Sequence, residues 1–272
     1  MDIEAVRDYW DSYDHALPDD DLNVTLSNIP WEEHILLFVG TFTAGKGLQS
    51  LLTALPFILR DVPDTQMVIV GAGAYREVLE ALVHALGSSN IRLLHALAER
   101  GMDLDRSELT GAWDDVLQFL KKPGVEDSLL ETGHLLRDRV HFLGRLNHDR
   151  LQYLFPCADL AVFPSVVPEA YPLVLMESLA NGVIPVVSYF SGFRDGVDEL
   201  EPVIGTDLTD YMKIPLDPAV RIEQIIENIS VLLSRSGQNT DVLRSVAVKE
   251  YDWRHRAAQM VSAYERIGKR QN

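Results

Sequence analysis

The sequence is poor in cysteine, in long apolar runs and in basic residues. Its one cysteine, Cys157, cannot form an intramolecular disulfide, and no Cys/His spacing matches a structural zinc site. A reducing compartment, the cytoplasm, is the expected location. No apolar run approaches the roughly 20 residues that span a bilayer, so no integral membrane segment is expected. The stretch Met1 to Trp10 carries Asp2, Glu4 and Asp8 and lacks the basic start and apolar core of a signal peptide. Lys+Arg 24 against Asp+Glu 41 gives a net charge of −17, which repels nucleic acid and anionic lipid headgroups. No nucleic-acid role is expected, and the partner sought is a small molecule or another protein.

What is present is an ordinary globular composition, 47% hydrophobic and 24% charged over 272 residues, enough chain to bury a sizeable core. Residues 1–33 are acidic, rich in turn formers and without sustained period, and read as a lead-in that is at most partly helical. From residue 34 to 272 the chain reads as one domain in which short apolar runs alternate with amphipathic stretches. The runs Ile35–Val39, Met67–Val70, Val140–Leu143, Leu160–Phe163 and Val183–Val187 are apolar on both parities, as strands buried on both faces require. Between them Leu48, Leu51, Leu52, Leu55, Ile58 and Leu59 fall at helical spacing, as do Val78, Leu79, Leu82, Val83 and Leu86. The expected fold class is α/β, a doubly wound parallel sheet of Rossmann-like type, with C-terminal helices. In such sheets ligands bind beyond the carboxyl ends of the strands.

Residues 88–138 break the rhythm. They exceed an ordinary connection of about 2–6 residues, and Leu93, Leu94, Leu97, Trp113, Val116, Leu117 and Leu120 suggest two or three short helices. This helical insertion is read either as a lid-like cover packed on the sheet or as a protein-contact or acceptor-binding surface.

Three segments carry chemistry. Gly40 through Gly47 is a strand end with glycines and one lysine opening into a helix, so that backbone N–H groups and the Lys46 ammonium suit a phosphate. It lacks the spacing of a P-loop, and an exposed turn lysine is the plainer reading. Gly71-Ala72-Gly73 ends the next strand, but a dinucleotide fingerprint wants a glycine where Arg76 stands. The third segment runs from Pro164 to Gly182. A proline-bracketed loop presents Glu169, Pro172 stands where a first helical residue belongs, and Gly182 stands where the helix ends. A carboxylate beside a phosphate cradle makes electrostatic sense when it accepts hydrogen bonds from sugar hydroxyls, so Glu169 and Glu177 point to a sugar nucleotide. The alternative is that Glu169 is solvated and Glu177 pairs with a surface cation. Asp19-Asp20-Asp21 imitates an Asp-x-Asp metal motif but lies in the lead-in, away from every expected strand end, and is not assigned a metal.

Taken in order, Gly40…Lys46-Gly47, Val70-Gly71-Ala72-Gly73, Val140–Gly144, Ala158–Ser165, Glu169-x7-Glu177, Gly182-x2-Pro185–Ser188 and Ser191-Gly192 resemble the C-terminal, donor-binding domain of retaining GT-B glycosyltransferases of family 4. The likeness runs from about Ile35 to Asp195, with a weaker echo at Tyr251-Asp252-Trp253. It implies transfer of a hexose from a nucleoside diphosphate sugar, with no metal and no cofactor beyond that donor. By the same resemblance Lys46 meets the diphosphate, Glu169 the donor sugar and Glu177 the ribose, with Glu169 and Lys46 as the catalytic pair. Gly40, Thr41 and Gly71 would line the donor site, Gly144-Arg145 would lie beside the base, and the backbone of Ala170, Tyr171, Pro172, Leu173 and Val174 would meet sugar and phosphate. The sequence departs from the family in two ways. Thr41 stands where an arginine is usual, and only some thirty residues precede Ile35, where a separate acceptor-binding domain of about 150–200 residues is usual. The expected partner is therefore an N-terminal acceptor domain or subunit. A non-catalytic nucleotide-sugar-binding or regulatory subunit with half a GT-B fold is the alternative.

Overall fold

A computed structural model describes residues 18–104, 109–235 and 240–270. The first 17 residues of the lead-in, with Asp2, Glu4 and Asp8, lie outside the described residues. In chain order come α1 (Leu22–Asn28), β1 (His34–Val39), α2 (Leu48–Asp61), β2 (Thr65–Val70), α3 (Arg76–Gly87), α4 (Ile91–Arg100), α5 (Asp114–Leu120) and α6 (Val125–Thr132). Then follow β3 (Val140–Phe142), α7 (His148–Leu154), β4 (Leu160–Phe163), α8 (Leu173–Ala180), β5 (Ile184–Ser188), α9 (Ser191–Ile204), β6 (Lys213–Ile214), α10 (Arg221–Ser234), α11 (Thr240–Val246) and α12 (Trp253–Arg270).

The six strands form one sheet in the order β3-β2-β1-β4-β5-β6, every pair parallel. Strands β2, β4 and β5 are buried along their whole length, as their largely apolar character requires, with Thr65, Gln66 and Ser188 the buried polar exceptions. β6 is the strand that periodicity could not reveal, because Lys213-Ile214 is too short to show a period. The order doubles back between β1 and β4, so the connections leaving these two strands part in opposite directions and leave a crevice at their carboxyl ends.

α2 is buried from Leu48 to Leu59 on every side, polar residues included. It packs against α10 and α3, and the insertion helices α5 and α6 also rest on it. Two polar side chains that would otherwise face water carry the contact: Gln49 Nε2 donates to Ala112 O at 2.6 Å, and Ser50 Oγ donates to Asp115 Oδ2 at 2.6 Å. Trp113 is 1% exposed, and its Nε1 donates to the Tyr75 hydroxyl at 2.6 Å, which in turn donates to Gly101 O at 3.1 Å. Its buried indole thus has its hydrogen bond.

The described part of the lead-in corrects one expectation. Asp19 is not remote from a strand end: its backbone N donates to Leu143 O at 3.2 Å, and Pro18 bridges Gly144 just beyond β3. Its carboxylate receives both terminal nitrogens of Arg76 at 2.6 Å. The arginine standing where a fingerprint glycine was sought is therefore a strut that ties the lead-in to α3. No described helix is long and apolar enough to cross a membrane.

Because Trp113 fills the junction between α2, α3 and the insertion, Trp113→Ala should cost about 3–5 kcal/mol of stability in urea unfolding. A loss under about 0.5 kcal/mol, the range of surface substitutions, would show that the insertion merely rests on the domain.

Candidate functional site

The loop after β1 runs through a short 3-10 turn, Ala44–Lys46, to Gly47, whose φ of 70° places it in the left-handed region and caps α2. A side chain there would be strained and would meet Pro164 O at 1.7 Å. The β1 loop can therefore press against the β4 loop. Val166 N donates to Gly45 O at 2.8 Å, and the Ser165 hydroxyl lies 3.1 Å from the same carbonyl and 3.3 Å from Glu169 Oε1. This contact brings Lys46 and Glu169 together, Nζ to Oε1 2.5 Å, with side chains 33% and 21% exposed.

From the other side, the start of α9 grips the Glu169 backbone. Gly192 N donates to Glu169 O at 2.8 Å and the Ser191 hydroxyl at 3.1 Å. A Cβ at Gly192 would sit 2.6 Å from that carbonyl and 2.9 Å from Pro172 Cδ, so the approach requires glycine. Pro172, expected as the first helical residue, is instead the N-cap of α8, with ψ of 94°. Its carbonyl accepts the first helical bond, from Leu175 N at 3.0 Å. The N–H groups of Leu173 and Val174, ahead of that bond, have no carbonyl partner within the helix, and the helix dipole adds positive potential there.

These groups border a cavity of about 290 Å³ lined by Gly40, Thr41, Lys46, Ser165, Glu169, Tyr171, Pro172, Leu173 and Val174, over Phe38, Val39, Phe163 and Phe193. A second hollow of about 160 Å³ takes Gly71 and Arg145 and shares Val39, Gly40 and Thr41 with the first, so the two form one groove across the β1 and β2 ends. Gly144, left-handed at φ 69°, turns the chain into Arg145, and its carbonyl accepts from Gly71 N at 2.9 Å. Ala170 lines a different groove, and Glu177 lies outside both linings. The Glu177 carboxylate sits 3.1 Å from His148 Nδ1 at the start of α7. Burial raises its pKa above the ordinary 4.5, and His148 draws it partly back.

Two grooves are larger. One, about 590 Å³, lies between α1 and α7, and the other, about 640 Å³, between α9 and α12. Neither contains Lys46 or Glu169, and the candidate site is placed by converging charge, not by volume. Ser165, which the sequence presents only as the end of the strand-end motif Ala158–Ser165, joins the site, and its position directly after Pro164 is the signal for it. Among the described residues no group of three or more His, Cys, Asp or Glu is placed to hold a metal ion.

The family described as glycosyl transferases group 1 matches residues 23–100 and 128–239. An uncharacterised glycosyltransferase of Methanocaldococcus jannaschii is 25% identical over 237 residues, covering 86% of this chain and 45% of that protein. The phosphatidyl-myo-inositol mannosyltransferase of Mycobacterium tuberculosis is 24% identical over 251 residues, 89% of this chain and 50% of that one. The chain thus spans about half the length of these relatives. Sucrose-phosphate synthase from Thermosynechococcus elongatus superposes with a TM-score of 0.54 at 22% identity, over 93% of this chain and 49% of its own. An E. coli structure described as trehalose-6-phosphate, bound with UDP-2-fluoro glucose, gives 0.52 at 14%, over 89% and 46%. Anabaena HepE in complex with UDP and glucose gives 0.51 at 15%, over 91% and 52%. These likenesses show the fold, the parallel α/β half of a GT-B molecule.

The Glu177 environment has a consequence for stability. A carboxyl with a raised folded-state pKa holds its proton to higher pH than in the unfolded chain, so stability is lost as pH rises from the ordinary 4.5 through the folded value. Glu177→Gln, which keeps the shape without the charge, should gain melting temperature relative to the parent as pH rises through that window. A Tm difference that stays flat with pH would contradict the buried-carboxylate assignment.

Proposed function

The chain belongs to the group 1 glycosyl transferases, and from that premise we propose that it is the donor-binding half of a retaining enzyme that transfers a hexose from a nucleoside diphosphate sugar. The observation that carries the reading is the meeting of Lys46, Glu169 and the first turn of α8 on one cavity at the carboxyl ends of β1 and β4. The ammonium and the α8 amides supply positive potential for a diphosphate, and the glutamate supplies acceptors for sugar hydroxyls. The continuation of the groove toward Gly71 and Arg145 gives the nucleoside its place, with Glu177 as the ribose partner. The UDP-2-fluoro glucose of the E. coli neighbour and the UDP and glucose of Anabaena HepE support this class of donor.

The departing diphosphate gains charge in the transition state, and fixed donors aimed at it lower the barrier without reorganising. Lys46 and the α8 start fill that role. Glu169 Oε1 is engaged by Lys46 and lies near the Ser165 hydroxyl, which suits a positioning and electrostatic part at an oxocarbenium-like centre better than nucleophilic attack. The acceptor and its site belong, in this proposal, to a separate N-terminal domain or subunit. No metal or other cofactor takes part.

Calorimetry with UDP, GDP and ADP tests the reading. At least one should bind, and Lys46→Ala should weaken it by about 1.5–3 kcal/mol, or about 10- to 150-fold. Glu169→Gln should weaken a nucleotide sugar more than the bare diphosphate. No heat with any of the three at millimolar concentration would overturn the proposal, and sugar transfer by this chain alone would overturn the half-enzyme part of it.

A further inference from the structure

Residues 109–127 fall between the two stretches matched by the family model, yet Leu109, Ala112 and Asp115 reach both jaws of the candidate site. The upper jaw is the turn that carries Lys46. Gln49 Nε2 joins its Ala44 O, at 2.9 Å, to Ala112 O of the insertion, at 2.6 Å. The place that a Cβ on Gly45 would take lies 3.4 Å from Leu109 Cδ2 and 3.1 Å from Val167 Cγ1, so insertion, turn and β4 loop meet at one point.

The lower jaw is the β4 loop that carries Glu169. Arg221, 1% exposed, holds it by the backbone: one terminal nitrogen donates to Pro164 O at 2.6 Å and to Ser188 Oγ at 2.9 Å, and the other donates to Pro215 O at 2.8 Å. Arg221 opens α10, the wrong end of a helix for a cation. Its charge is met by Asp115, 4% exposed, with Oδ2 at 3.2 Å from Nε. Asp115 also accepts from Ser50 Oγ at 2.6 Å and from Val116 N at 2.8 Å. A buried guanidinium among carbonyls needs that counter-charge, and an apolar pair of similar volume would serve stability at least as well. What an apolar pair cannot do is donate hydrogen bonds to Pro164 and Ser188.

We propose that residues 109–127 are a clamp that sets the separation of Lys46 and Glu169, with Asp115 a positioning residue acting through Arg221 and the Ala112 carbonyl acting through Gln49. The proposal rests on the donor-binding reading above for its functional meaning, while the geometric claim stands on the clamp itself.

The decisive variant is the double substitution Asp115→Val with Arg221→Met, which removes both charges for a small change in summed volume. Hydrogen exchange of the unliganded chain and UDP calorimetry are read together with melting temperature. The double variant should melt close to the parent, yet the Val166 amide should exchange at least about tenfold faster while β1 amides are unchanged. UDP should bind at least about fivefold more weakly, because misplaced groups lose their alignment. The single Asp115→Asn should lose melting temperature, since it leaves Arg221 without its counter-charge. A folded double variant with Val166 exchange and UDP affinity within about twofold of the parent would overturn the clamp. Where the parent binds GDP or ADP instead of UDP, that nucleotide is the probe; should it bind none of the three, the donor-binding reading falls, and the exchange rates alone decide the clamp. If the double variant does not fold, Gln49→Met decides: faster exchange at the Lys46 and Gly47 amides supports the clamp, and unchanged exchange there overturns it.

Discussion

Parallel strands all end at the same edge of a sheet, and a change of winding direction between two of them forces their exit loops apart. In this chain the change falls between β1 and β4, and the site follows from it. The loops part, yet they must touch at their bases to close the floor of the crevice. The touching point is Gly47 against the Pro164 carbonyl, a contact that no side chain could tolerate. From it follow the bond between Val166 and Gly45, the pairing of Lys46 with Glu169, and the grip of α9 on the Glu169 backbone. The loops that carry Lys46 and Glu169 are thus held together by backbone contacts.

The electrostatics are local. A chain with net charge −17 is a poor general host for an anion. In the proposed function the cavity offsets this with an ammonium at its rim and the amides of a helix start. The glutamate beside the ammonium keeps the site from being uniformly positive. That mixture suits a ligand with a charged diphosphate at one end and neutral hydroxyls at the other.

The insertion changes the meaning of α2. A helix that packs on a sheet ordinarily keeps a polar face for water, and Gln49, Ser50 and Thr53 read as such a face. All three are buried. Gln49 and Ser50 bond to the covering segment, while Thr53 donates back to Gln49 O at 2.8 Å. The donors of this face are satisfied by protein groups instead of water, while Gln49 Oε1 stays buried without a hydrogen-bond partner. In the same way Arg76 finds Asp19, and the acidic lead-in becomes part of the wall beyond β3.

The amino-acid order by itself determined the alternation of strand and helix, the parallel sheet, and the loops in which polar residues gather, because strands buried on both faces and helices buried on one leave distinct periods. It also placed Lys46 after one strand and Glu169 after another. Only the tertiary structure decided that these two meet, that Glu177 turns toward His148, that β6 exists, and that Asp115 answers Arg221 across more than a hundred residues of chain. Periodicity reports what a residue does with its neighbours along the backbone. A salt bridge between distant segments, a two-residue strand and a glycine pressed on a remote carbonyl arise from packing, which no local period encodes.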